Sequence, residues 1–162
     1  MGFTGNFNTK KISWLNNYYT GPENANTNKG WRNLYDTTLM LTPIDAFNAY
    51  INYDYGHNKN PGSGASHWDG IAFAAKLSHG MFAVTPRFEW FNDANGFSTG
   101  TTQKLKEFTI TGELKMKEGV LTRLEYRHDW SNVEFFERGS TGLHKNQDTI
   151  LIGMTAFFGP KR

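Results

Sequence analysis

The stretch EFTITGELKMK, Glu107 to Lys117, sorts its side chains by parity. Glu107, Thr109, Thr111, Glu113, Lys115 and Lys117 fall on one side; Phe108, Ile110, Gly112, Leu114 and Met116 fall on the other. Successive side chains of a strand point to opposite faces, so a period of two predicts a β-strand with one polar and one apolar face. The next segment repeats the pattern, with Arg123, Glu125, Arg127 and Asp129 opposed to Leu124, Tyr126 and Trp130; His128 shares the apolar side. Upstream, Arg87 and Glu89 oppose Val84, Pro86, Phe88 and Trp90, and Asn48, Asn52 and Asp54 oppose Phe47, Ala49, Ile51, Tyr53 and Tyr55. Around Lys11–Tyr19, where the first strand is expected, alternation is poor. No segment combines a 3.6-residue period with helix caps, so no long helix is expected.

Two kinds of punctuation separate these segments. Polar stretches rich in Gly and Asn lie at Thr20–Gly30, Gly56–Ser66, Asn92–Gln103 and Ser131–Asn146. Between them fall the tight turns Thr42-Pro43-Ile44-Asp45, Ser78-His79-Gly80-Met81 and Lys117-Glu118-Gly119. Four long loops alternating with three short turns predict one domain over residues 1–162: eight antiparallel strands in up-and-down order, closed as a transmembrane β-barrel. Strands of roughly 10–13 residues, tilted by about 45°, cross the roughly 25 Å of hydrocarbon in an outer membrane. An even count brings both termini to the short-turn side.

Composition excludes other classes. Only 38% of residues are hydrophobic, so hydropathy alone reads as soluble; barrel strands, however, average lipid-facing with lumen-facing residues. A net charge of +2, with both signs interspersed, gives no stripe for nucleic acid. Without cysteine there are no disulfides or thiolate metal sites. Met1-Gly2-Phe3-Thr4 has neither the basic start nor the apolar run of a signal peptide, which an outer-membrane protein would need, so a removed leader or a longer parent chain is expected.

Alternation is symmetric and does not say which face is inside. A soluble ligand-binding barrel would enclose Phe108, Ile110 and Leu124, whereas a membrane barrel inverts this. Aromatics near strand ends favour the membrane: Trp14, Trp31, Tyr53, Trp68, Trp90, Tyr126 and Trp130 are expected at the bilayer interfaces. Loops long at one end only favour it too. The lumen would then hold a charge network of Arg32, Asp36, Asp54, Lys76, Arg87, Glu89, Glu107, Glu113, Lys115, Arg123, Glu125, Arg127 and Asp129. Such a row lines an ion-selective pore or forms a neutralised plug; eight strands leave room for little beyond their own side chains, which favours the plug. Weak passive conduction of ions or small solutes is the most that reading allows.

Several stretches resemble the putative β-barrel porin family (OmpL-like): Gln103–Gly112, Leu124–Asn132 with its L-E-Y-R-x-D-W-S run, and Lys145–Thr149. The resemblance is clearest over residues 84–158 and extends upstream to Tyr18. It implies a bacterial outer-membrane location and passive transport, in a shortened member or a C-terminal half. The last strand, Asp148–Phe158, ends its apolar row of Ile150, Ile152, Met154, Ala156 and Phe158 in an aromatic. It resembles the signal strand read by the barrel-assembly machinery, although Gly159-Pro160-Lys161-Arg162 follows. The expected partners are lipid or detergent, and the expected state is a monomer.

No catalytic constellation stands out. His57, His67, His79, His128 and His144 lack metal-ligand spacing. His128 and Asp129 are adjacent and so face opposite ways; a cross-strand partner for His128 stays open. Neither a phosphate loop nor a nucleophile elbow is present. No enzymatic activity, metal or cofactor is expected.

Overall fold

The computed structural model describes residues 1–116 and 119–158. Lys117 and Glu118 of the third expected turn, and the tail 159–162, lie outside the described residues.

Among the described residues nine strands, not eight, form one antiparallel sheet in chain order. They are β1 (Gly2–Asn8), β2 (Ile12–Gly21), β3 (Arg32–Ile44), β4 (Phe47–Asn60), β5 (Gly64–His79), β6 (Phe82–Asp93), β7 (Gln103–Lys115), β8 (Val120–Ser131) and β11 (Asn146–Ala156). The short pair β9 (Phe136–Glu137) and β10 (Leu143–His144) makes a separate two-stranded ladder inside the loop before β11. No α-helix occurs among the described residues.

The additional strand is β1. Gly2, Gly5, Asn6 and Asn8 give it little β-propensity, yet Phe3 and Phe7 alternate correctly and it pairs with β2 from Gly2↔Tyr19 to Asn8↔Ser13. The strand expected near Lys11–Tyr19 is β2. The second expected long loop, Gly56–Ser66, is mostly ladder: β4 runs to Asn60 and β5 begins at Gly64, leaving Pro61-Gly62-Ser63 as a tight turn. Gly62 and Gly64 have φ of 82° and 86°, which suits glycine. The polar residues there bond to one another within the sheet, as Asn58 Nδ2 to Asn60 Oδ1 (2.6 Å) and Asn60 Nδ2 to Ser66 Oγ (2.9 Å). Polar composition marked an inward-facing strand surface, not a loop. The turn expected at Thr42–Asp45 contracts to Asp45-Ala46, because β3 continues through a bulge between Leu41 and Ile44.

With an odd count, β1 and β11 run in the same direction, and the sheet ends on them as two edges. The expectation that both chain ends lie on the short-turn side is therefore overturned. The Met1 ammonium bonds the Thr20 carbonyl (2.7 Å) at the long-loop end, whereas Ala156 pairs with Val120 at the short-turn end.

Burial is inverted relative to a water-soluble protein. The only buried hydrophobic residue among those described is Ala74, while Asn58, Ser66, Asp93, Gln103, Thr109, Asp129 and Ser131 are buried. Following the register, directly paired residues share a face, and all eight lie on the same one. The opposite face exposes Phe3, Phe7, Ile51, Phe73, Ile110, Leu124, Ile150 and Ile152. A sheet one layer thick buries side chains on one face only by curling around them, and this one curls around its polar side.

Candidate lumen-lining face

The register places all thirteen charged residues singled out from the sequence on the polar face. They do not form one network. Near the short turns, Glu113 on β7 bridges Lys76 on β5 and Arg123 on β8, the latter through Nε to Oε1 at 2.7 Å. Its side chain is only 9% exposed, covered by two cations that themselves remain substantially exposed.

The second group lies nearer the middle. Arg87 Nη2 donates to Glu107 Oε1 (2.6 Å), which also accepts from Thr109 Oγ1 (2.6 Å). Arg87 Nε lies 2.8 Å from Glu89 Oε1 but is not aligned to donate. Arg127 Nε donates to Asp129 Oδ2 (3.0 Å), which Gln147 also approaches at 2.9 Å, and Arg127 Nε stands 3.8 Å from Glu107 Oε2. Thr111 Oγ1 donates to Glu125 Oε2 (2.7 Å). A cleft of about 270 Å³ opens beside this group, with Phe91, Leu105 and Phe136 forming its apolar wall and Glu89, Glu107, Arg127 and Asp129 its charged one.

Asp36 is held by neutral partners, Asn17 Nδ2 at 2.6 Å and Asn52 Nδ2 at 2.8 Å, with Asp54 its cross-strand neighbour. Lys115 closes the row at the turn end of β7. Arg32 sits at the opposite end, bonding Asn58 Oδ1 (3.1 Å) with its guanidinium 4.9 Å from the Phe97 ring.

At that end the loop between β6 and β7 folds over the polar face. Fully buried Asp93 accepts from the backbone N–H groups of Phe97 (2.8 Å), Ser98 (2.9 Å) and Thr99 (2.7 Å), and from Thr99 Oγ1 (3.0 Å). Gln103 and Ser131 extend the network, Ser131 Oγ donating to Gln103 Oε1 at 2.8 Å. Phe97 stacks on Trp68 at 4.8 Å, and Trp68 lies across Gly56, where any Cβ would come within 2.0 Å of the indole. Trp68 is thus a correction to the expected interface aromatics: paired with Gly56 and Asp93, it faces the polar side. Trp14, Tyr53, Trp90, Tyr126 and Trp130 face outward, and exposed Trp31 immediately precedes β3. The neutral residues Asn17, Asn52, Asn58, Gln103, Thr109 and Ser131, and the loop anchor Asp93, were not singled out from the sequence. Their strand parity was the available signal.

His128 and Asp129 do face opposite ways. His128 finds its cross-strand partner in Asp148, with Nδ1 to Oδ1 at 2.8 Å, and Tyr126 donates to the same oxygen at 2.6 Å. This cluster lies on the outward face.

Residues 1–158 match the family described as putative beta-barrel porin-2, OmpL-like. The chain belongs to this porin family. The match extends beyond the resemblance read from the sequence and takes in β1, the strand that sequence reading missed. An outer-membrane, porin-type protein is the identity that follows. No curated protein and no solved structure matched the chain.

Proposed function

We infer that the protein is an integral outer-membrane barrel that places its apolar face in lipid and its polar face around a narrow lumen, without enzymatic activity. The inverted burial carries this reading: fully buried Asn58, Asp93 and Thr109 on one face, and exposed Ile150, Ile152 and Met154 on the other. In water that arrangement would leave a large apolar surface uncovered; in a bilayer it is the stable one.

In this reading the sheet closes in the membrane, because hydrocarbon offers no partner to an edge strand's N–H and C=O groups. A bore of about this strand number is filled largely by its own side chains, and the bridges around Glu113 and Glu107 occupy it. Conduction is then weak and passive. Reconstituted into planar bilayers as a monomer, the chain gives no large steady current; small fluctuating currents accompany exchange of ion-pair partners. A large stable conductance from a demonstrated monomer refutes the filled lumen. A folded monomer in detergent-free buffer refutes the membrane reading altogether.

A further inference from the structure

We propose that Lys104 and Lys106, on the outward face of β7 between Trp90 and Trp130, form a recognition site for the phosphate of a lipid headgroup in the leaflet on the long-loop side. The site rests on the membrane orientation inferred above. Register pairs Lys106 with both Trp90 on β6 and Trp130 on β8, while Lys104, two residues closer to the loop, pairs with Asn92. Both lysines are exposed and share the lipid-facing side with Phe108 and Ile110.

The two lysines differ in their surroundings from the ion-paired cations of the polar face. On the polar face Lys76, Arg87, Arg123 and Arg127 meet carboxylates, and Arg32 meets Asn58 and the Phe97 ring. On the outward face the strands carry few charges, all towards the long-loop end: Lys59, Asp69, Lys104, Lys106 and Asp148. The two carboxylates are already engaged, Asp69 by Asn92 Nδ2 (3.0 Å) and Asp148 by Tyr126 and His128. Neither Lys104 nor Lys106 has a carboxylate within 4.0 Å among the described residues. Arg138 adds a third cation beside the site, its Nη2 3.5 Å from Asn146 Oδ1, and Asn146 pairs with Trp130. Glu134 and Glu137 lie in the loop beyond. Lysine stems lie along apolar surface with the ammonium raised toward the interface, and indoles orient toward the same level, so a lysine rooted below the headgroups, as Lys106 is, still delivers its ammonium to the phosphate beside Lys104.

The test uses the full chain in phosphatidylcholine vesicles containing brominated phosphatidic acid or, separately, brominated phosphatidylcholine, with tryptophan quenching as the readout. The expected result is preferential quenching by the brominated phosphatidic acid, an enrichment of about fivefold for each lysine at modest ionic strength. K104Q/K106Q abolishes that preference while inserting normally, and K10Q/K11Q, at the opposite end of the sheet, keeps it. Insertion with no preference, equal loss in both double variants, or a preference surviving in K104Q/K106Q overturns the site. Full competition by millimolar inorganic phosphate also overturns it, by assigning the lysines to a free anion. Failure of the unmodified chain to insert into phosphatidylcholine would instead overturn the membrane reading, so the two failures are distinguishable.

Discussion

Arginine placed at two depths on the outward face of β7 separates a lipid-facing surface from a water-facing one. β7 runs from Gln103 to Lys115 with Thr109 at its middle. At about 3.3 Å per residue and a tilt of about 45°, Ile110 lies about 2 Å from the strand's mid-depth and Leu114 about 12 Å from it. An apolar band about 25 Å tall therefore has Ile110 near its centre and Leu114 at its edge. Ile110→Arg is expected to cost about 2–4 kcal/mol and Leu114→Arg about 0–1 kcal/mol. Thr111→Ser, on the other face, keeps the hydroxyl that donates to Glu125 and is nearly neutral. Urea titrations of folding into lipid vesicles, followed by tryptophan fluorescence, measure all three. Ile110 is already 41% exposed within the chain, so if water bathed this face its replacement would cost nearly nothing. Equal costs at the two depths, or a negligible cost at Ile110, refute the face assignment.

Asp93→Ala removes the acceptor of three backbone N–H groups, so the loop 94–102 should open and chymotrypsin should cut after Phe97 many-fold faster; an unchanged cleavage rate would show that the stack on Trp68 alone holds the loop. Gly56→Ala drives a methyl into the Trp68 indole and is expected to cost about 1–3 kcal/mol, with a shift in tryptophan emission as the ring moves off Phe97; wild-type stability and emission would contradict the packing. Glu113→Gln leaves Lys76 and Arg123 facing each other, and because both cations are substantially exposed the loss should be about 1–2 kcal/mol in the same vesicle titration, diminishing with added salt.

How legible the fold was depends on what each strand's two faces contain. In β7 from Glu107 to Lys115, and in β8 from Arg123 to Arg127, polar and apolar residues alternate, so strand and face follow from parity alone. β1 places Gly and Asn where the others carry Thr, Asp or Arg, and Gly5 interrupts its apolar row, so its pairing with β2 had to supply the evidence. The end of β4 misleads for a different reason. Asn58 and Asn60 have the composition of a loop, but their amides satisfy each other and Ser66 on the inside of a curled sheet. The charged face was fully readable, since each of its thirteen residues has the parity of its strand. Which charges meet was not, because Glu113 reaching both Lys76 and Arg123 requires β5 to approach β7 across β6, a consequence of curvature rather than of spacing. Trp68 is aromatic and near a strand end, which points to the interface, but it has the parity of Gly70, Ala72 and Lys76, and the structure follows the parity by setting it against Gly56.

The two edges of the sheet set a condition on how it lives in a membrane. In β11, of eleven residues, alternate residues direct their N–H and C=O away from β8. About ten such groups in hydrocarbon, each costing several kcal/mol unpaired, would together cost several times the roughly 5–15 kcal/mol by which a domain is stable. On the membrane reading proposed above, the exposed apolar row Ile150, Ile152 and Met154 puts this strand at lipid depth, which requires its free edge to be paired. The partner's direction is constrained as well. Because β1 and β11 run the same way, joining them directly makes one parallel pair, and a second copy inserted in the same orientation meets the first through two parallel pairs. Only an odd number of intervening strands keeps every pair antiparallel with the long loops on one side. The charge bridges are indifferent to that choice, since Lys76, Glu113 and Arg123, and Arg87, Glu107 and Arg127, all lie on β5–β8, away from both edges. On the same reading the interior is organised by the central strands, while the width of any bore is decided where the two edges are joined.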